Sequence, residues 1–193
     1  MDLTKSLARV ALVTALILLI PLVAMRFTTE VNWTFSDFVF AGIVLFATGL
    51  AYVLVASRWD STTYRLAVGV AVAAGLLLVW VNAAVGLIGS EHNPANLLYG
   101  GVLAVALVGA IGARFRPMGM SRAMFAAALA YVAVTVTALC VWTPTGAAAE
   151  PAAHMTNVVV ANALFATLWA VSGWLFRRAA IAADSHSARQ LVS

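Results

Sequence analysis

The sequence predicts an all-α fold: a polytopic integral membrane protein, built as a six-transmembrane-helix bundle with both termini on the cytoplasmic side. Composition, apolar windows and the placement of basic residues predict it. The 193 residues are 64% hydrophobic and only 9% charged, and the mean hydropathy is +1.00. Roughly a quarter of the residues of a soluble domain are charged. A chain this poor in charge cannot cover a water-facing surface, so hydrocarbon is its main solvent. Six windows each hold about the 20 mostly apolar residues that a spanning helix needs. They cover residues 7–25, 37–57, 65–89, 95–113, 121–142 and 157–176.

The basic residues orient these windows. Lys5 and Arg9 precede the first. Arg58 and Arg65 lie between the second and third, and Arg114, Arg116 and Arg122 between the fourth and fifth. Arg177, Arg178 and Arg189 follow the sixth. Of the 11 basic residues only Arg26 falls on the other side. Lys and Arg accumulate on the cytoplasmic side of a membrane. That places both termini there and requires an even number of spans. The formal charge of +4 is therefore an orientation signal, and no nucleic-acid partner is expected. Membrane lipid is the expected surrounding, in the inner membrane of a bacterium. Trp33 and Trp142 fall at the predicted outer interface and Trp59 and Trp174 at the inner one, depths that suit amphipathic rings.

The first window could be taken for a secretory signal. Its apolar run is long, however, and the small-residue cleavage pattern near Met25 is poor, so it reads as a retained anchor helix. Three outward loops are expected: 26–36, a tight turn at 90–93, and a Pro/Ala/Gly-rich stretch at 143–156. The polar tail from Ala179 onward is expected to fray. No stretch between the windows is long enough for a core of its own, and one domain is the economical reading. Cys140 is the single cysteine and lies in an apolar window, where it reads as a small apolar residue.

Within the third window Ala67, Ala71, Gly75, Asn82, Gly86 and Gly89 share one arc at about 100° per residue. Small residues on one stripe let another helix approach closely, and close packing is what joins helices in lipid. This predicts the third helix as the central one. Asn82 lies on that stripe. An unpaired amide in hydrocarbon costs several kcal/mol, so it is expected to point into protein or a wet cavity. Asn162, in the sixth window, shares a face with Ala166, Trp169 and Gly173, and is expected at the depth of Asn82. Thr135 is expected near the same level. Interhelical hydrogen bonds are the commoner use of such residues; the floor of an outward cavity is the functional alternative.

The turn Glu91-His92-Asn93-Pro94-Ala95-Asn96 combines a helix start with two titratable groups. Asn93 suits an N-cap and Pro94 the first helical position. Glu91 is favoured near a helix N-terminus. Glu91 and His92 could carry protons, although a water-facing turn more often leaves such groups solvated. Asn93-Pro94-Ala95 resembles the aquaporin signature in its three letters alone. Aquaporins carry two copies on re-entrant half-helices, whereas this chain has one copy, at the start of a full span, so the resemblance is set aside. His92 and His154 fall in different outer loops. No HExxH, paired CxxC or phosphate-binding glycine loop occurs, so no cofactor is expected and haem or metal is the remote alternative. No ionisable residue lies deep in any window, which argues against an ion-driven pump.

These features leave three classes of function. The first is a structural or accessory subunit of a larger membrane complex, or a homo-oligomer. The second is a small-molecule handler, either a passive transporter or a lipid- or quinone-binding protein. Its outward polar cavity would be lined by Asn82, Glu91, His92, Asn96, Tyr99, Thr135, His154 and Asn162. The third is a haem or metal redox protein. No catalytic residue is assigned in any of them.

Overall fold

The structure is a computed structural model and describes residues 3–84, 87, 94–141 and 152–190. Among these residues every regular element is helical. Six α-helices run in order: α1 (Leu3–Phe27), α2 (Phe35–Ala56), α3 (Thr62–Ala84), α4 (Leu98–Gly112), α5 (Pro117–Val141) and α6 (Ala152–Gln190), with a 3-10 turn, Pro94–Leu97, before α4. Five of them (α1, α2, α3, α5 and α6) are long and apolar enough to cross a membrane. A helix satisfies most of its backbone groups internally, as hydrocarbon requires. The helices fall into two compact units, Met1–Arg58 and Trp59–Ser193.

The first unit is the antiparallel pair α1 and α2. A Cβ added at Gly49 would stand 2.7 Å from Val10 Cγ1, and one added at Gly42 would stand 3.5 Å from Leu18 Cδ1. The two glycines thus give α1 room along α2. Before α2, the Asp37 carboxylate accepts the Thr34 backbone N–H at 2.6 Å and the Thr34 hydroxyl at 2.8 Å. This satisfies the cap residue from within the first turn. Pro21 lies inside α1, where a membrane helix tolerates the lost N–H better than a soluble one.

In the second unit α6 packs against both α3 and α5, and α5 also packs against α4. This corrects the expectation that the third helix is central. The buried face of α3 is indeed built on small residues, with Ala67 and Ala74 inaccessible alongside Tyr64, Val68 and Leu78. Yet α6 carries the more continuous buried stripe, Phe165, Trp169, Ser172, Phe176, Ala179 and Ala180, and so serves two neighbours. The α4–α5 hairpin closes through two reciprocal small pairs. A Cβ on Gly109 would meet Ala123 Cβ at 2.7 Å, and one on Gly119 would meet Ala113 Cβ at 2.5 Å. Spacings Gly109–Ala113 and Gly119–Ala123 present the same four-residue step on both helices, the membrane device for close approach.

Two further expectations are corrected. The fourth window is not one continuous α-helix: its first turn is 3-10 and only 15 residues are α-helical. The sixth helix is far longer than 157–176. It runs for 39 residues, beginning at Ala152, so that His154 belongs to its first turn and not to a loop. At the other end it continues through the tail that was expected to fray. No Gly or Pro follows Gly173, alanine has the best helix propensity, and Ala179 and Ala180 are buried, so packing carries the helix onward.

The end of the second unit opposite the 3-10 turn is held by aromatic side chains. The turn between α4 and α5 places Arg114 and Phe115 at φ 49° and 59°, a left-handed conformation that costs non-glycine residues energy. The Phe115 carbonyl accepts the Tyr64 hydroxyl at 2.8 Å and the Trp59 indole N–H at 3.1 Å. Tyr64 is fully buried and meets Phe176 edge-on at 5.1 Å. The α4–α5 turn is thereby tied to α3 and α6.

A polar core inside the four-helix unit

Five of the expected site residues, Asn82, Asn96, Tyr99, Thr135 and Asn162, converge at the end of the second unit where the 3-10 turn lies. The geometry resolves into two levels. At the outermost, Asn82 Nδ2 donates to the Asn96 carbonyl at 3.0 Å, and Asn96 Oδ1 accepts the Leu87 backbone N–H at 3.0 Å. Asn96 is thus spent on holding the chain that follows α3 against the start of α4. One turn further in, the Tyr99 hydroxyl donates to Asn162 Oδ1 at 2.6 Å, joining α4 to α6. The Thr135 hydroxyl lies 3.1 Å from the same oxygen and 3.0 Å from the Tyr131 carbonyl of its own helix.

The sequence expectation that Asn82 and Asn162 sit at equal depth is corrected by this arrangement. Asn82 pairs at the level of Asn96 and Asn162 at the level of Tyr99, three residues apart along the chain. Since α6 begins at Ala152 and not at 157, the distance of Asn162 from the expected span end does not give its level against α4. Tyr99 and Asn162 are 1% and 3% exposed, so their bond is made away from solvent.

Glu91 and His92 lie outside the described residues. His154 is helical in its backbone, but its side chain also lies outside them, as do those of His92 and His186. Among the described residues no group of three His, Cys, Asp or Glu side chains converges.

Of the inward continuation of this core, sequence reasoning placed Trp169 on the face of Asn162 but missed Tyr131. Tyr131, one turn below Thr135 on α5, is fully buried; its ring lies 5.0 Å from that of Tyr99 and stacks on Phe165 at 5.8 Å. Trp169, seven residues inward of Asn162 on α6, is 2% exposed. Its ring reaches the Gly75 position of α3, where an added Cβ would lie 3.9 Å from its Cη2 and 3.6 Å from Leu103 Cδ2 on α4. Below it the buried Ser172 hydroxyl donates to the Ala67 carbonyl at 2.9 Å, joining α6 to α3. The signal was present as spacing: Thr135 and Tyr131 lie four apart, and Asn162, Phe165 and Trp169 follow a helical face.

Asn82 Oδ1 and Trp169 Nε1 are buried with no hydrogen-bond partner among the described residues, and the Tyr131 hydroxyl, which makes no well-aligned bond, lies against the Tyr99 side chain. The buried polar residues among those described are Ser6, Asn96, Ser121, Asn162 and Ser172, and none is charged. Such a core can join helices and can hold neutral hydrogen-bonding groups, but offers no fixed charge for an ion. Compared with protein-family models, with curated proteins and with solved structures, the chain matches none.

Proposed function

We propose that the chain crosses a bacterial inner membrane six times, with both termini in the cytoplasm, and serves there as a structural or accessory subunit of a membrane complex or as a homo-oligomer. The supporting observation is how the interior polar groups are used. Tyr99, Thr135 and Asn162 join α4, α5 and α6, Asn82 and Asn96 join α3 to the start of α4, and Ser172 joins α6 to α3. No described charged side chain is buried, whereas ion-coupled transport uses ionisable groups within the membrane. The reading of six spans draws on length. Fifteen α-helical residues and four 3-10 residues before Leu98 rise by about 30 Å together, at roughly 1.5 and 2.0 Å per residue. That equals the hydrocarbon thickness of about 30 Å. The reading of both termini inside draws on the bias of basic residues.

The test is the native mass of the full chain, extracted from its own membrane in a mild detergent. A stable oligomer or a complex with a larger membrane protein is expected; a monomer without partners refutes the subunit role. Topology is tested separately on a Cys140→Ser background. A cysteine at Thr29 is expected to react with a membrane-impermeant maleimide from outside, and one at Ser187 only after the cells are opened. The small-molecule reading stands as the second one, because the unpartnered Asn82 and Trp169 atoms favour it.

A further inference from the structure

At the end of the second unit that holds the α4–α5 turn, the seam between α5 and α6 gathers cations without gathering acids. The two helices run antiparallel, because Asn162 meets Thr135, Phe165 meets Tyr131 and Gly173 meets Phe125. At the last of these levels the Phe125 ring lies over Gly173, where an added Cβ would stand 3.1 Å from it. Arg122 is one turn before Phe125 on α5, and Arg177 one turn after Gly173 on α6. Helical spacing therefore brings both arginines to one level of the packed pair. Arg178 adds a third cation. Its guanidinium lies 4.7 Å from the centre of the Trp174 ring, and such stacking holds the charge beside the indole.

All three arginines are exposed, and none has an ion-pair partner among the described residues. Arg65, by contrast, is met by the Asp60 carboxylate at 2.9 Å. The other described acid of this unit, Asp184, follows Arg177 by seven residues, about 10 Å along the helix axis. Membrane orientation asks only for basic residues on one side. It does not ask unpaired ones to share a seam, where like charges repel. Two exposed rings stand beside them, Trp174 at 49% and Phe125 at 41%. An indole suits the depth of lipid headgroups, which puts the guanidinium groups at the level of lipid phosphate. Arginine forks match phosphate oxygens two at a time, and the rings offer apolar surface to acyl chains. Free phosphate would use the arginines and leave the rings without a role.

We propose that Arg122, Arg177 and Arg178 form a headgroup site for an anionic phospholipid, with its phosphate across the α5–α6 seam and its chains along Phe125 and Trp174. This goes beyond the subunit role. It rests on the membrane-crossing part of that reading, and the proposed topology assigns the lipid to the cytoplasmic leaflet. Maleimide labelling tests the topology without reference to lipid, and native mass without added lipid tests the subunit role, so each can fail without the others.

The experiment uses the full chain in mild detergent, stripped of native lipid and titrated with dioleoylphosphatidylglycerol or, separately, dioleoylphosphatidylcholine. Lipid-bound species are read by native mass spectrometry. Retention of the phosphatidylglycerol is expected to exceed that of the phosphatidylcholine by about fivefold or more, the effect of one basic side chain near anionic lipid. Arg122→Gln and Arg177→Gln are each expected to lower it about fivefold. Arg114→Asn, which removes an exposed charge from the α4–α5 turn and suits its left-handed backbone, is expected to leave it unchanged. Inorganic phosphate at the same concentration is expected not to displace the lipid. Equal retention of the two lipids, or a preference that survives both glutamine substitutions, overturns the proposal. Equal loss in Arg114→Asn overturns it by reducing the site to a general basic field, and displacement by inorganic phosphate overturns the lipid as its occupant. Should one glutamine variant fail to fold, the other and the comparison of the two lipids still decide.

Discussion

Gly119→Ala is the sharpest probe of how the second unit is held together. The new Cβ would stand 2.5 Å from Ala113 Cβ, 3.2 Å from Ala113 Cα and 3.6 Å from the Ala113 carbonyl oxygen. Carbon atoms pack comfortably at about 3.5–4.0 Å, so the closest pair is short by about 1 Å. Part of the obstacle is backbone and cannot rotate aside, so α4 and α5 must part at their turn. Overpacking of this kind costs about 1–3 kcal/mol, and the better helix propensity of alanine returns up to about 1 kcal/mol. A net loss of about 1–2 kcal/mol is therefore expected, read from reversible unfolding in mixed micelles by tryptophan fluorescence. The decisive variant is the double one, Ala113→Gly with Gly119→Ala, which moves the methyl group across the contact and keeps its volume. It is expected to recover most of the loss, giving a coupling of about 1 kcal/mol or more. A neutral Gly119→Ala, or a double variant no better than that single one, would refute the argument that this contact sets the α4–α5 distance.

Other expectations follow from single contacts. Tyr99→Phe removes the buried donor to Asn162 and is expected to cost about 1 kcal/mol, within the range for interhelical bonds in membranes, on the same unfolding assay. Gly173→Ala meets the Phe125 ring at 3.1–3.2 Å; that ring is half exposed and can tilt, so the loss should be smaller than for Gly119→Ala. Arg114 is exposed at φ 49°, where asparagine is tolerated and a β-branched residue is not. Arg114→Asn is accordingly expected to leave the thermal midpoint unchanged or raise it, while Arg114→Val lowers it. Gly49→Ala crowds only the Val10 side chain, so Val10→Ala should relieve whatever loss it causes.

The membrane class was legible because it depends on sums. Charge content and apolar length survive any rearrangement of neighbours, so the all-helical architecture and five spanning-length helices could be read directly. The ends of elements were less legible, because local composition and tertiary packing pull against each other there. The stretch from Ala179 onward is polar enough to suggest a frayed tail, yet Phe176, Ala179 and Ala180 are buried and the helix persists to Gln190. The start of the fourth segment reads as an ordinary helix with Pro94 in the first position. In the structure Pro94–Leu97 forms a 3-10 turn instead, and Asn96 there uses its side chain to hold Leu87 and its carbonyl to hold Asn82.

The site was legible in its members more than in its arrangement, and the reason lies in what depth counting can use. Asn82, Asn96, Tyr99, Thr135 and Asn162 stand out because amides and hydroxyls are costly in apolar windows. Their relative levels depend on where each helix begins, which is the least certain quantity in a sequence. A five-residue error in the start of α6 is more than one turn, enough to misplace Asn162, which pairs with Tyr99 while Asn82 pairs with Asn96. Tyr131 escaped notice for a different reason: an aromatic ring in a spanning helix is unremarkable as an apolar body, and only the three-dimensional surroundings reveal whether its polar end is met. Tyr64 has the same chemistry on the same unit, and its hydroxyl is met by the Phe115 carbonyl at 2.8 Å. At one end of the unit the fold supplies a backbone acceptor for its buried phenol; at the other the buried phenol of Tyr131 lies against the Tyr99 side chain, a difference that depends on neighbours from another helix.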